Sequence, residues 1–299
     1  MAAPSGPRLA LEAVQERLAP SPLRDCLSLT KPRLTSLNLL AGVTGFLLAS
    51  GPAVDFRAFC LLLAAGYLSV GGSLSLNAYL DRDIDPLMGR TALRPLPTGR
   101  MAPRRVLAFS LAVLGSGLLA AALLNTATLL FVAGGAAFYI GVYTLWLKRR
   151  TPWNIVIGGA AGSFAPLAGW AAATGGVGVP GLFLAALIFL WTPGHFWGLA
   201  IKYREDYARA GVPMLPVVAG EETAARWAAL SNLALVPFTF AVAPLYGLPY
   251  AVAVGVLGLV FAFQNLRLLS DPSQGATVFH LSNLYLAGMF AVLLAVGLL

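Results

Sequence analysis

Most of the chain consists of long apolar runs without strand-like alternation, and polar residues gather in a few short clusters between them. Nine such runs stand out: 34–50, 58–80, 106–124, 127–147, 154–174, 180–201, 227–246, 248–269 and 278–299. A helix needs about 20 mostly apolar residues to cross the hydrocarbon core of a bilayer, and inside lipid it satisfies its own backbone hydrogen bonds. The pattern therefore predicts an all-α integral membrane protein with nine transmembrane helices. Only residues 125–126 and residue 247 separate two pairs of runs, so the helices they join must be antiparallel neighbours. Before the first run, Leu9 to Leu18 reads as a polar helix-like stretch ended by Pro20 and Pro22. It lacks the basic-then-apolar layout of a cleaved signal peptide, so the N-terminus is expected to be retained. Residues 1–27 are read as an N-terminal cytoplasmic segment and 28–299 as the membrane domain.

Composition supports this reading. Of 299 residues, 58% are hydrophobic and 11% charged, with mean hydropathy +0.78, whereas a soluble domain is about a quarter charged. A soluble enzyme, a disordered chain and a secreted disulfide scaffold are excluded, and Cys26 and Cys60 cannot form a disulfide framework. The net charge of +8 is explained by topology. Of the 20 Lys and Arg residues, all but Arg57 fall in the N-terminal segment or in the loops after the even-numbered runs. The positive-inside rule puts those segments in the cytoplasm. The charge then gives no reason to expect nucleic acid.

Against so apolar a background, the acidic residues are informative. There are twelve, and Asp81, Asp83 and Asp85 crowd the end of the second run. Asn77, Asp81 and Asp85 recur every four residues, which on a helix puts them on one face, with Asp83 pointing elsewhere. Two carboxylates on one stripe repel each other unless a cation sits among them. Mg²⁺ suits such a site, because it is usually held by one or two carboxylates plus substrate phosphates. Arg82, Arg90, Arg94 and Arg100 follow directly, and guanidinium forks match phosphate oxygens. Acid and base together suggest a metal–diphosphate site, although a solvated loop would also carry such charges. A second polar stretch, Lys202 to Pro216, lies on the same side of the membrane. Before it come Pro193, Gly194 and His195 inside a span, where an ionisable residue is a functional candidate. Asn38 in the first run is a weaker candidate for a polar role.

Asn77-x3-Asp81-x3-Asp85 followed by Arg90-Thr-x2-Arg94-Pro95 resembles the first signature of the UbiA-type intramembrane prenyltransferases. Three further runs resemble the haem-farnesylating branch of that family. They are Thr30-Lys31-Pro32-Arg33 with Asn38, Thr192-Pro-Gly-His195-Phe-Trp, and Lys202-Tyr-x2-Asp206-Tyr-x2-Ala210-Gly211-x-Pro213-Met-Leu-Pro. The resemblance covers roughly residues 28 to 299. It implies nine helices around a lipid-open cavity, with farnesyl diphosphate and haem B as substrates, haem O and diphosphate as products, and Mg²⁺ as cofactor. It implies Asp81 and Asp85 on the metal and catalytic roles for Asn77, Asp81, Asp85, His195 and Asp206. It also implies that Arg90, Arg94, Lys202 and Arg204 bind diphosphate, and that Asn38, Tyr79, Phe196, Trp197 and Tyr203 bind haem or the prenyl chain. Membrane lipid is a partner by composition. Haem A synthase or a terminal oxidase follows from pathway logic alone. Ala78 stands where many relatives carry a further Asp, and the second loop has fewer acids than is usual in the family. Two alternatives stay open: a sister prenyltransferase acting on an aromatic or chlorin acceptor, and a membrane transporter.

Overall fold

The computed structural model describes residues 21–297, so the expected stretch Leu9–Leu18 lies outside the described residues. Helices make up the fold, and no strand occurs among the described residues. They are α1 Pro22–Leu29, α2 Pro32–Ser50, α3 Phe56–Leu80, α4 Pro103–Ala122, α5 Thr126–Ala137, α6 Asn154–Gly158 and α7 Ala160–Thr174. After these come α8 Val179–Lys202, α9 Arg204–Arg209, α10 Leu215–Val218, α11 Glu221–Thr239, α12 Ala243–Ser270 and α13 Gly275–Gly297. α5 continues as a π-helix through Phe138–Leu147.

Among the described residues, eight helical stretches are long and apolar enough to cross a membrane. The expected count of nine differs because Glu221–Ser270 forms one 50-residue stretch. At 1.5 Å per residue that would reach about 75 Å, far more than one bilayer. It is folded in two at Gly247 (φ 74°, ψ −167°), a conformation that is essentially glycine's alone. Asn232 donates to Asn265 Oδ1 at 2.8 Å, and Tyr250 donates from its hydroxyl to the Thr239 carbonyl at 2.7 Å, so α11 and α12 pair antiparallel about residue 247. The stretch thus contains both apolar runs that the sequence separates at this residue.

Elsewhere, small residues bring the backbones together, as expected where apolar surface alone cannot drive helices to associate in lipid. A side chain at Gly169 would collide with the Gly42 backbone, and one at Gly117 with the Ser69 backbone, locking α7 to α2 and α4 to α3. Leucines such as Leu111, Leu119, Leu130, Leu182 and Leu259 point outward and form the lipid-facing belt. α1 is amphipathic: Leu23 and Leu27 are exposed, while Asp25 and Leu29 are buried. Asp25 accepts from Arg100 Nε at 3.0 Å, and Leu29 packs with Ala78 and Val106. Helix α1 is therefore part of the packed bundle, which begins before residue 28.

Candidate active site

The polar loops meet at one end of the bundle. α3 stops at Leu80, and Asp81 is its C-cap. Asp85 opens a 3-10 turn, Asp85–Leu87, so the expected single helix through Asn77, Asp81 and Asp85 is corrected to a helix end followed by a turn. Pro86 explains the break, since it has no N–H to continue the ladder. The four-residue register nevertheless persists. Asp81 N donates to Asn77 O at 2.9 Å, and Asp85 N to Asp81 O at 2.8 Å. Asn77, Asp81 and Asp85 are all buried, while Asp83 points outward and is gripped by both arms of Arg149 at 2.6 and 2.7 Å. This grip holds the Asp83 carboxyl below its ordinary range.

Asp81 is bonded to Lys148, which comes from the far end of the π-helix. Asn77 Nδ2 donates to Asp81 Oδ2 at 2.8 Å and to Thr144 Oγ1 at 3.3 Å. The pairs Asn77–Thr144 and Asp81–Lys148 have the same sequence offset, so the two helices run parallel there. The π register is visible in the bonds themselves: Thr144 Oγ1 donates to Tyr139 O at 2.9 Å and Lys148 N to Tyr143 O at 2.8 Å. Single π turns often sit at functional sites, and this segment turns Thr144 and Lys148 toward the carboxylates. Burial lowers the Lys148 pKa against the pull of Asp81.

Asp85 Oδ2 accepts from Arg94 Nη1 at 2.8 Å, and its loop is pinned by Thr91 Oγ1 on the Asp85 carbonyl at 2.7 Å. Lys31 lies within electrostatic reach of both carboxylates. It is the only non-glycine described residue with positive φ, at 47°, and it precedes Pro32, which already disfavours ordinary helical geometry. Burial, together with Arg94 and Lys148, brings its pKa down to about 7, although Asp85 and Asp81 oppose the shift. Lys31, Lys148 and Thr144 are absent from the sequence-derived site. The available signal was the spacing Thr144-x3-Lys148, which repeats Asn77-x3-Asp81. Lys148 was instead read as one of three positive-inside charges.

The second loop plays a different part. Asp206 accepts from the backbone N–H of Gly89 at 3.2 Å and of Arg90 at 3.3 Å, and it is bonded to Arg209. Burial raises its pKa, but these donors outweigh burial and hold the carboxyl low. Asp206 therefore ties the two loops together, and its oxygens are turned to the first loop's backbone. Arg90 bonds to Tyr207 Oη at 3.0 Å and lies over the Tyr203 and Tyr207 rings. Arg204 donates to the Pro216 carbonyl and faces Glu221, so the arrangement does not bring it to the carboxylates. Lys202 is exposed over the Tyr203 ring.

The expected apolar and aromatic residues also divide. Phe196 and Tyr203 pack beside Ile84, Met88 and Tyr207 beneath the first loop. Tyr79 faces away, with Arg82 over its ring at 4.5 Å. Trp197 is 1% exposed and packed with Leu215, Ala228 and Val278, so it is core. Asn38 donates to the Leu34 carbonyl of its own helix, at 3.5 Å, and bonds to no site residue among those described. His195 lies between α8 and α13, stacked on Trp191 and Phe279, with Nδ1 2.7 Å from Ser282 Oγ.

Among the described residues, no group of three or more His, Cys, Asp or Glu could hold a metal ion. The two carboxylates still fit a cation that completes its shell with phosphate and water. Asp81 Oδ1 is buried without a hydrogen-bond partner, with Arg149 no nearer than 3.6 Å. Such an orphaned acceptor oxygen is an expected feature of a ligand position.

Known proteins resemble this chain in sequence and in fold. Residues 38–294 match the UbiA prenyltransferase family. The chain is 43% identical to a protoheme IX farnesyltransferase of Parafrankia sp. (strain EAN1pec), over 92% of this chain and 91% of the relative. It is 46% identical to one of Synechococcus sp. (strain JA-3-3Ab), over 88% of this chain and 81% of the relative. A solved UbiA homolog from Archaeoglobus fulgidus, bound to DMAPP and Mg²⁺, is 22% identical, with a TM-score of 0.70 over 90% of this chain and 98% of that one. Paired acidic and basic residues at one end of an apolar helix bundle, and a match that runs through nearly all the spans, have one common explanation: the chain belongs to the UbiA prenyltransferase family.

Proposed function

We propose that this protein transfers a farnesyl group from farnesyl diphosphate to a vinyl group of haem B, giving haem O and diphosphate. The observation that carries the reading is the pair of buried carboxylates, Asp81 and Asp85, bonded to Lys148 and Arg94 with Lys31 in electrostatic reach, at one end of an apolar bundle. This cluster has the charges needed to hold an anion and a divalent cation together. The names of the relatives supply the acceptor.

Asp81 and Asp85 would hold Mg²⁺ together with the diphosphate oxygens. The ion would neutralise charge on the leaving group. Arg94, Lys148 and Lys31 bind the remaining phosphate oxygens and stabilise the negative charge that grows as the C1–O bond breaks. Asp206 and Thr91 hold the loop that carries Arg94 and Asp85. The apolar interior takes the isoprenoid tail and keeps water from the allylic cation. The terminal vinyl carbon bonds to C1, and water adds to the neighbouring cationic carbon and loses a proton. The chain is further proposed to lie in a bacterial cytoplasmic membrane, with its N-terminus and this site on the cytoplasmic side.

The test is to incubate the purified protein with farnesyl diphosphate, haem B and Mg²⁺ and to identify haem O by mass. Diphosphate release with an aromatic or chlorin acceptor, but none with haem B, would assign the chain to a sister reaction. Substrate movement across vesicles without bond cleavage would make it a transporter.

A further inference from the structure

His195 stands apart from the diphosphate machinery. It lies seven residues before the end of α8, about 10 Å below the loop at 1.5 Å per residue. Trp191 covers one ring face at 3.9 Å between centroids and Phe279 the other at 4.4 Å, tilted by only 19° and 28°. Trp191 is itself anchored by Nε1 donating to the Ser282 carbonyl at 2.9 Å. With both faces covered, a ligand can reach the imidazole only at its edge.

The hydrogen bonds then select the tautomer. Ser282 Oγ donates its one proton to the Phe279 carbonyl at 2.9 Å. With that proton so placed, what it offers His195 Nδ1, 2.7 Å away, is a lone pair, the arrangement in which Nδ1 carries the ring proton. Nε2 is left with a free lone pair. In that tautomer Nε2 has no proton to give to the neighbouring Phe279 carbonyl, and it is not among the sealed, unpartnered atoms of the interior. A ring oriented by its neighbours, with one nitrogen donating to an oxygen and the other open, is the arrangement found in metal-ligating histidines. A histidine that served only to bond two helices would need the Nδ1 bond but neither the aromatic clamp nor an open Nε2.

We propose that His195 Nε2 is the axial ligand of the iron in the porphyrin acceptor, and that Ser282 is a positioning residue that fixes its tautomer. The inference rests on the haem-acceptor reading above. Its effect is to hold the macrocycle by its metal, from α8, within two helical turns of the loop that carries the diphosphate site. The chain's second histidine, His280, is exposed beside Phe279 and supplies the control.

The test uses the full chain in detergent micelles, titrated with ferric protoporphyrin IX and, separately, with metal-free protoporphyrin IX. Wild type and His280→Ala should give the Soret band and electron paramagnetic resonance of imidazole-ligated iron. His195→Gln keeps a donor for Ser282 and cannot ligate iron through imidazole. It should lose that signature and bind the ferric porphyrin at least about tenfold more weakly, a loss of the size seen when metal-site partners are removed. With metal-free porphyrin the two proteins should bind alike, which a simple packing defect would not produce. Ser282→Ala should keep the signature and weaken ferric binding by about tenfold, so it serves as a second variant if His195→Gln folds poorly. An unchanged spectrum in His195→Gln, or its loss in His280→Ala, overturns the proposal even if wild type makes haem O. If wild type makes no haem O, the reading of the acceptor fails and this inference fails with it.

Discussion

In the first polar loop Asp81 and Asp85 are buried, and their partners include Lys148 from another helix and Arg94 from across a turn. In the second loop Arg204, Glu205, Arg209 and Glu221 are exposed and pair with one another. The one buried acid there, Asp206, spends its oxygens on the first loop's amides and on Arg209. Both loops are rich in charge, but only the first turns its charge inward. Exposed pairs contribute about 0–1 kcal/mol, whereas breaking a buried pair from one side costs about 3–5 kcal/mol. The comparison assigns the chemistry to the first loop and its support to the second.

The strongest way to break this division is to remove the buried acids. Asp81→Asn and Asp85→Asn should each lower haem O formation by at least about 100-fold, the size seen when one electrostatic contact to a transition state is lost. Asp81→Asn should also raise the Mg²⁺ concentration needed for half-maximal rate. Asn is the cleaner change, because Asp81→Ala strands Lys148 without its hydrogen-bond partner. Next, Arg94→Lys keeps the charge and loses the fork. A lost charge-assisted hydrogen bond is worth about 1.5–3 kcal/mol, so a loss of roughly 10- to 150-fold should appear in kcat/KM for farnesyl diphosphate. Wild-type kinetics for Arg94→Lys would return Arg94 to the role of a cytoplasmic anchor.

Lys31 sharpens the comparison through pH. Its pKa of about 7 in the free protein should rise when a diphosphate sits beside it, so binding takes up a proton. Affinity is then fullest below pH 7 and falls as pH rises through the window between the two pKa values, by at most about tenfold per unit for one proton. The KM for farnesyl diphosphate, followed from pH 6 to 9, should show this fall in wild type and a flatter profile in Lys31→Arg. Asp206→Asn should loosen the clasp between the loops and cost about 1–2 kcal/mol in thermal unfolding, with no change in Mg²⁺ requirement. A shifted Mg²⁺ requirement would move Asp206 into the metal site. The smallest effects belong to Asp83→Ala and Arg204→Ala. Both residues are exposed, and their substitution should stay within about 0.5 kcal/mol in stability and about twofold in rate.

The spans were legible because lipid imposes one requirement on every backbone group, and an apolar run answers it wherever it occurs. Even the break at residue 247 could be read, since no other chain was left to make the turn. The spacing of Asn77, Asp81 and Asp85 showed which residues face together, although Pro86 ends the helix they were assigned to. The partners of those acids were not legible. Lys148 reaches Asp81 through a π-helical register that a period of 3.6 does not anticipate, and Lys31 arrives through a single left-handed residue before a proline. Asp206 was read as an acid for chemistry because sequence shows its charge but not the two amides it accepts from. The resemblance placed Trp197 and Tyr79 at the substrate, whereas packing puts the first in the core and the second against Leu29 and Val106, under Arg82.

The turn at Gly247 matters beyond its geometry. With only the tight turn at Gly247 between them, the two halves of the Glu221–Ser270 stretch cannot be delivered to the membrane one at a time. They must insert as a pair, and α13, which carries Phe279 and Ser282, follows them in the chain. A side chain at 247 forces a backbone that only glycine holds easily. The damage from Gly247→Val should therefore show first during biogenesis, as misinserted protein cleared by quality control, and protein that does reach the bilayer correctly should turn over substrate at close to the normal rate. A lesion here would be recorded as an abundance defect, some thirty residues before the chain reaches the helix that clamps His195.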